Sequence, residues 1–317
     1  MNYIFGPVPS RRLGLSLGVD LVPLKTCTFD CIYCELGRTN HKTKERREYH
    51  PAAAIVTELQ SYLEQAETLP DYITLAGSGE PTLNIGIGQI INAIKQISQV
   101  PVAVLTNGSL LFLPEVREAL VNADLVLPSL DSASPGIFRA INRPVAGFDL
   151  GQIIAGQEAF RQMFSGQIWL EIMLLRGMND DPAELEKLRQ VIARLRPDRV
   201  QLNTGVRPVV EDYAVPLTPE QMAAAAAFLE EGVEVIAEFD PTTHAKLTLS
   251  DADFLETLAR RPMTAQDLAK VLARPLAEVL KRLNQLKNRG LITYNLHHHQ
   301  GFYFYPRSQL SQPASKN

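Results

Sequence analysis

A chain of 317 residues has enough length for one large domain, or for a large domain with a small companion, and its 45% hydrophobic and 21% charged side chains are those of an ordinary soluble globular protein. The longest purely apolar runs, such as Ala223 to Phe228, are too short to span a bilayer. The formal net charge of -4 is unevenly spread: residues 251–317 carry ten Lys or Arg against five Asp or Glu, a net +5, and the preceding 250 carry 21 against 30, a net -9, so two bodies with different partners are expected.

The opening "MNYIFGPVPSRRLG" has no apolar core of signal-peptide length before its two arginines, so a cytoplasmic location, where thiols stay reduced, is expected. A first strand is expected near "LSLGVDLVP". The loop "KTCTFDCIYCELGR" then holds Cys27, Cys31 and Cys34, all the cysteines of the chain. An odd number cannot all pair as disulfides, and nothing else resembles a cysteine-stapled scaffold. Three thiolates spaced C-x3-C-x2-C suit three corners of a four-iron four-sulfur cluster whose fourth iron is left open. They also suit a Cys3His zinc site completed by His41 or His50.

After a helix from about Pro51, apolar runs rich in β-branched residues alternate with amphipathic segments. Strands are predicted in "YITLAGSG", "PVAVLTNG", "DLVLPSLD", "IWLEIMLL", "RVQLNTG" and "VEVIAEF". Helices are predicted in "GIGQIINAIKQIS", "LPEVREALVNA", "DLGQIIAGQEAFRQMF", "DPAELEKLRQVIARL" and "TPEQMAAAAAFLEEG", several opening at Asp or Thr followed by Pro. This is an α/β pattern of at least six units, which predicts a partial (βα)6 barrel of TIM type over residues 1–248, with chemistry at the carboxyl ends of its strands. Polar residues do terminate four of them: Gly77 to Glu80, Thr106 to Gly108, Ser129 to Asp131, and Asn203 with Thr204.

Residues 249–306 change pattern to three short helices, "DADFLETLARR", "TAQDLAKVLA" and "PLAEVLKRLNQLKNRG", then "LITYNLHHHQGFYFYP". Three helices and a hairpin predict a winged helix-turn-helix, with Arg274 and Pro275 opening the third helix and Gly290 closing it. Lys281, Arg282, Lys287 and Arg289 suit phosphate contact, or form the solvated face of a helix whose core stripe is Val279, Leu280, Leu283 and Leu286. Protein docking or dimerisation is the other use of such a module. His297 to His299 point in alternating directions on a hairpin and are expected at an exposed wing tip. Residues 307–317 are expected to be disordered. Arg143 is a candidate for a substrate or cofactor carboxylate, or for a structural ion pair, and Arg11, Arg12 and the basic run Lys42 to Arg47 for an anionic substrate or for solvated loops.

The C-x3-C-x2-C loop with Tyr33 before its last cysteine resembles the signature of the radical S-adenosylmethionine superfamily. "AGSGEPTLN" resembles that superfamily's second motif, "LTNGS" its next strand end and "SLDSASPGIFRAINRP" the one after; together the motifs cover roughly Gly6 to Thr204. The resemblance implies Cys27, Cys31 and Cys34 as cluster ligands. It also implies S-adenosylmethionine contacts from Tyr33, Gly77, Ser78, Gly79, Glu80, Thr106, Asn107, Ser129, Asp131 and Asn203, with Glu80 accepting from the ammonium. The implied cofactors are a 4Fe-4S cluster and S-adenosylmethionine, reduced by an external flavodoxin- or ferredoxin-like donor. "FGPVPSRRLGLSLGVDLVP" and "CIYCELGRTNHKTKERREYHP" resemble a bacterial and archaeal branch related to wyosine-type tRNA-modifying enzymes, although those carry a further set of cysteines that this chain lacks. The expected activity is radical modification of a nucleic acid such as RNA or of a small molecule, the winged domain aiding capture of a substrate such as tRNA or another nucleic acid. The alternatives are activation of a partner protein, or a redox-sensing regulator that binds DNA.

Overall fold

The computed structural model describes residues 3–305 except for 11, 67, 206–208, 230–231, 237–254, 256–257, 259–261, 272–273 and 298–299. An eight-stranded sheet organises the first two thirds of the chain. Its order is β1 (Ile4–Ser10), β2 (Gly14–Val19), β5 (Tyr72–Leu75), β6 (Val102–Thr106), β7 (Leu125–Pro128), β8 (Gln167–Leu174), β9 (Arg199–Thr204) and β10 (Val233–Val235). The pairs from β2 to β10 are all parallel, while β1 is antiparallel to β2. Two short strands, β3 (Thr26–Cys27) and β4 (His41–Lys42), pair separately.

Parallel neighbours need a crossover, and each is made by a helix. The helices are α1 (Ala52–Gln65), α2 (Ile87–Ile97), α3 (Pro114–Leu120), α4 (Pro135–Asn142), α5 (Leu150–Met163), α6 (Pro182–Leu195) and α7 (Pro219–Leu229). Ile87, Ile90, Ile91 and Ile94 give α2 one buried stripe. Asp149 caps α5 by accepting from Gln152 N–H, and Asp181 caps α6 by accepting from Ala183 and Glu184 N–H. Alternate strand residues such as Leu17, Val19, Ile73, Leu75, Val102 and Val104 pack against helices, and Leu170, Ile172, Leu174, Val200 and Leu202 do so further along. The other face buries Leu13, Ala103, Leu125, Leu127 and Trp169 together. With both faces covered, these strands read as near-continuous apolar runs in the sequence.

Two elements depart from the sequence pattern. Strand β1 holds Gly6, Pro7 and Pro9, which argue against a strand; it forms because an edge strand has one side free of ladder bonds. Helix α4 lies inside the motif "SPGIFRAIN", with Pro135 in its first turn and Phe138 and Ile141 buried.

The C-terminal residues make a smaller unit with its own core of Leu258, Met263, Leu268, Val279, Leu283, Leu286, Ile292 and Tyr303. Helices Ala265–Val271 and Leu276–Asn288 are followed by the antiparallel hairpin of Thr293–His297 and Gln300–Phe304, which Met263–Thr264 joins as a third strand. Leu280 is 37% exposed and does not belong to the stripe that Val279, Leu283 and Leu286 form, because it sits one residue round the helix from Val279. Most of the expected helix at 251–261, His298 and His299, and the tail from 306 lie outside the described residues. Among the described residues no helix is long and apolar enough to cross a membrane.

Ile90 is fully buried and Ile97, on the same helix, is 37% exposed. Ile90→Ala is expected to lower stability by about 2–5 kcal/mol in urea unfolding, and Ile97→Ala by about 0.5 kcal/mol or less.

Candidate metal and cofactor centre

The cysteine loop has little secondary structure, so its position depends on bonds to its surroundings. Lys25 N–H donates to Ser78 O at 2.6 Å and Glu80 N–H to Thr26 O at 3.1 Å, which fastens the loop's start to the chain leaving β5. Thr43 N–H donates to Cys27 O at 2.9 Å. On the other side Asp30 and Ile32 N–H donate to the carbonyls of Asn142 and Ile141, at 3.0 and 2.9 Å. Phe29 packs edge-on against Phe138 and Phe148, and Ile32 is fully buried beside Ile141 and Leu175.

Each sulfur is met by a side-chain N–H donor. Asn107 Nδ2 lies 3.5 Å from Cys27 Sγ, Asn142 Nδ2 lies 3.5 Å from Cys31 Sγ, and Lys25 Nζ lies 3.1 Å from Cys34 Sγ. Burial, with the nearby Glu80 carboxylate adding to it, pushes the Cys27 thiol from the ordinary 9.0 up to about 12. Burial and then Asp131 push Cys31 up as well.

Two buried carboxylates orient the two asparagine donors. Glu80 Oε1 accepts from Thr82 N–H, from the Thr82 hydroxyl at 2.5 Å and from the Thr106 hydroxyl at 2.7 Å, while Oε2 accepts from Asn107 N–H at 2.7 Å. Asp131 Oδ2 accepts from the Tyr33 hydroxyl and from Asn142 Nδ2, both at 2.5 Å, and Oδ1 from Met173 N–H at 3.0 Å. Burial raises both carboxyls above their usual range although every one of these bonds pulls the other way. Glu80, expected to meet an ammonium, therefore also ties the ends of β5 and β6 together.

The glycines of "AGSGE" make room for the protein itself. A Cβ on Gly79 would stand 1.8 Å from Thr26 O, and one on Gly77, whose φ is +122°, 2.2 Å from Asp20 Oδ1. Asp20 in turn accepts from Ser78 N–H at 2.6 Å. Ser129 is half-buried at the end of β7, bridged to Glu171. Asn203 is buried and donates from Nδ2 to Glu171 Oε1 at 3.2 Å; Arg12 reaches Glu171 Oε2 at 2.5 Å.

Arg143 is a structural ion pair. It bonds Glu211 at 2.8 Å and the Tyr213 hydroxyl at 2.6 Å, and Arg38 also pairs with Glu211. His41 is exposed with its ring edge toward Tyr49, and the His50 ring packs on Tyr3 at 5.0 Å. Within the basic run, Lys42 donates to Arg143 O, Arg46 to Thr82 O, and Arg47 covers the Tyr49 ring. Arg11 lies outside the described residues. Sequence reasoning passed over Lys25, Thr28, Asn142 and Glu171. Lys25 stood in the quoted loop, but Asn142 is 111 residues from Cys31 and gave no local signal.

A parallel α/β sheet with three cysteines at its strand ends defines a class. The chain belongs to the Radical SAM superfamily, whose sequence profile matches residues 21–188. Within that class it belongs with the UPF0026 proteins: one from Methanocaldococcus jannaschii is 32% identical over 278 residues, 86% of each chain. A Brachyspira hyodysenteriae protein named GTPase Obg is 36% identical over 293 residues, 91% of this chain and 43% of that one, so this chain spans less than half of that relative. Among solved structures, SuiB of Streptococcus suis with its precursor peptide SuiA matches with a TM-score of 0.53 at 13% identity, over 69% of this chain and 48% of SuiB. SuiB bound to S-adenosylmethionine matches at 0.50 and 15%, over 75% and 54%. Likeness at that identity bears on the fold alone.

With Cys31 and Cys34 changed to alanine, alkylation of Cys27 in the metal-free protein is expected to keep accelerating between about pH 8 and 10, because its thiol loses its proton only far above the ordinary range. Rates read by mass spectrometry that rise only about tenfold over that interval and flatten above pH 10, as for a thiol at the ordinary 9.0, rather than about a hundredfold, would contradict the burial.

Proposed function

We propose that this chain is a radical S-adenosylmethionine enzyme in which Cys27, Cys31 and Cys34 hold three irons of a 4Fe-4S cluster and S-adenosylmethionine occupies the fourth. The observation that carries the reading is the set of three N–H donors, Asn107, Asn142 and Lys25, one at each sulfur. Thiolates that ligate a cluster are stabilised by such donors, whereas inert buried thiols need none. The zinc alternative would need His41 or His50 to turn from its tyrosine neighbour, Tyr49 or Tyr3.

When bound, the two cofactors supply one-electron reductive cleavage to methionine and a 5'-deoxyadenosyl radical, with the electron coming from a flavodoxin- or ferredoxin-like donor. The chain's own part is to hold and orient. Glu80 and Asp131 fix the Asn107 and Asn142 donors, Gly77, Ser78 and Gly79 seat the loop, and Tyr33 is locked through its hydroxyl by Asp131. Thr106, Ser129 and Asn203, at the ends of β6, β7 and β9, are the polar groups we assign to the nucleoside and its amino-acid end.

For the substrate we propose RNA, captured by a winged helix formed by the C-terminal unit. Lys281, Arg282, Lys287 and Arg289 are exposed along and after helix Leu276–Asn288, whose buried side packs the unit's core. Lys287 also lies over the Tyr294 ring of the hairpin. A basic helix beside a hairpin suits backbone phosphates.

Protein purified and reconstituted without oxygen, reduced with dithionite and given S-adenosylmethionine, is expected to release 5'-deoxyadenosine by mass spectrometry, and Cys31→Ala none. A wild type that yields none, with zinc in place of iron, would refute the assignment. The double variant Lys281→Glu and Lys287→Glu is expected to weaken tRNA retention in a gel-shift assay about tenfold or more and to flatten its salt dependence by roughly two counterions; unchanged affinity would leave the substrate class to other macromolecules.

A further inference from the structure

We propose that Lys25 supplies the fixed positive charge that sets the reduction potential of the cluster held by Cys27, Cys31 and Cys34. This rests on the cluster assignment made above and concerns how this chain tunes it. Lys25 Nζ donates to Cys34 Sγ at 3.1 Å, closer than the neutral amides of Asn107 and Asn142 approach their sulfurs, both at 3.5 Å. It is the charged member of the three. Its residue is only 7% exposed, so solvent and salt screen the charge weakly.

The placement is deliberate in backbone terms. Lys25 has a φ of +61°, a left-handed conformation that is strained for a residue with a side chain and that persists only where the surroundings fix it. They do: its N–H is bound by Ser78 O, and its carbonyl accepts from His41 N–H at 3.1 Å. Among the described residues the ammonium is matched to that sulfur and to no carboxylate. The buried carboxylates that act on the other two sulfurs are Glu80 at Cys27 and Asp131 at Cys31.

A cluster that accepts one electron gains one negative charge. An ammonium within hydrogen-bond reach of a ligating sulfur stabilises the reduced form more than the oxidised one, which raises the potential. A neutral side chain at position 25 removes that preference, and an arginine retains it.

The test uses the full chain reconstituted anaerobically with iron and sulfide, as wild type, Lys25→Met, Lys25→Gln and Lys25→Arg. Iron and sulfide content are measured first. The electron paramagnetic resonance signal of the reduced cluster is then followed in a redox titration. The Met and Gln variants are expected to load the cluster and show midpoints shifted to more negative potential, with Arg close to wild type. Met and Gln variants with full clusters and the wild-type midpoint would overturn the proposal. Variants that take up no cluster, although their metal-free forms melt with wild type, would also overturn it, in favour of a role in cluster uptake alone. Wild type that takes up no iron–sulfur cluster would instead overturn the function proposed above, a result distinct from either.

Discussion

Burying an anion is costly unless donors or a cation meet it, and three neighbouring sulfurs compound that cost. The carboxyl ends of the sheet are arranged around this constraint. Cys27 and Cys31 sit where burial and a nearby carboxylate both oppose ionisation. Both effects favour the neutral thiol at Cys27 and Cys31. A cationic guest reverses the balance, because metal binding replaces the thiol protons and meets the thiolates with positive charge.

The two carboxylates act in parallel ways from different strands. Glu80 binds the N–H of Asn107, whose side chain turns to Cys27, and Asp131 binds the side chain of Asn142, which also reaches Cys31. Each carboxylate is thus one bond removed from a sulfur and sets a donor's direction. Asn107 is further held by Thr28, and Ser109 N–H donates to its Oδ1, so its amide group faces the sulfur. Removing either carboxylate would release an asparagine as well as a charge. A position such as Glu80 is for that reason hard to divide into a structural and a binding part.

How much of this was legible depends on the range of the interaction. The βα alternation is written in local periodicity, so the parallel strands and most helices could be placed from the sequence, and the chain leaving one polar strand end, at Ser78 and Glu80, is bonded to the cysteine loop. Strand β1 was hidden because Pro7 and Pro9 obey the rules for an edge, and a sequence does not show which strand is at the edge. The glycines Gly77 and Gly79 were legible as points of close approach, but their partners, Asp20 and Thr26 O, are set by tertiary packing. Asn142 ends a helix far along the chain from Cys31, and no spacing rule joins them. Leu280 failed for a local reason: four apolar residues in "VLKRLNQL" overfill one stripe, and the sequence does not say which one the core leaves out.

The charge pattern gives the site its asymmetry. Carboxylates approach Cys27 and Cys31, and an ammonium approaches Cys34. A cluster held there would have carboxylates nearest Cys27 and Cys31 and the Lys25 ammonium nearest Cys34. The loop itself has little regular structure beyond the two residues of β3. Its backbone bonds to Ser78, Thr43, Ile141 and Asn142 hold it from several elements at once. A sheet whose strand ends reach the loop from β5, β6 and β7 is what allows a short irregular segment to keep three sulfurs, each in a different electrostatic setting.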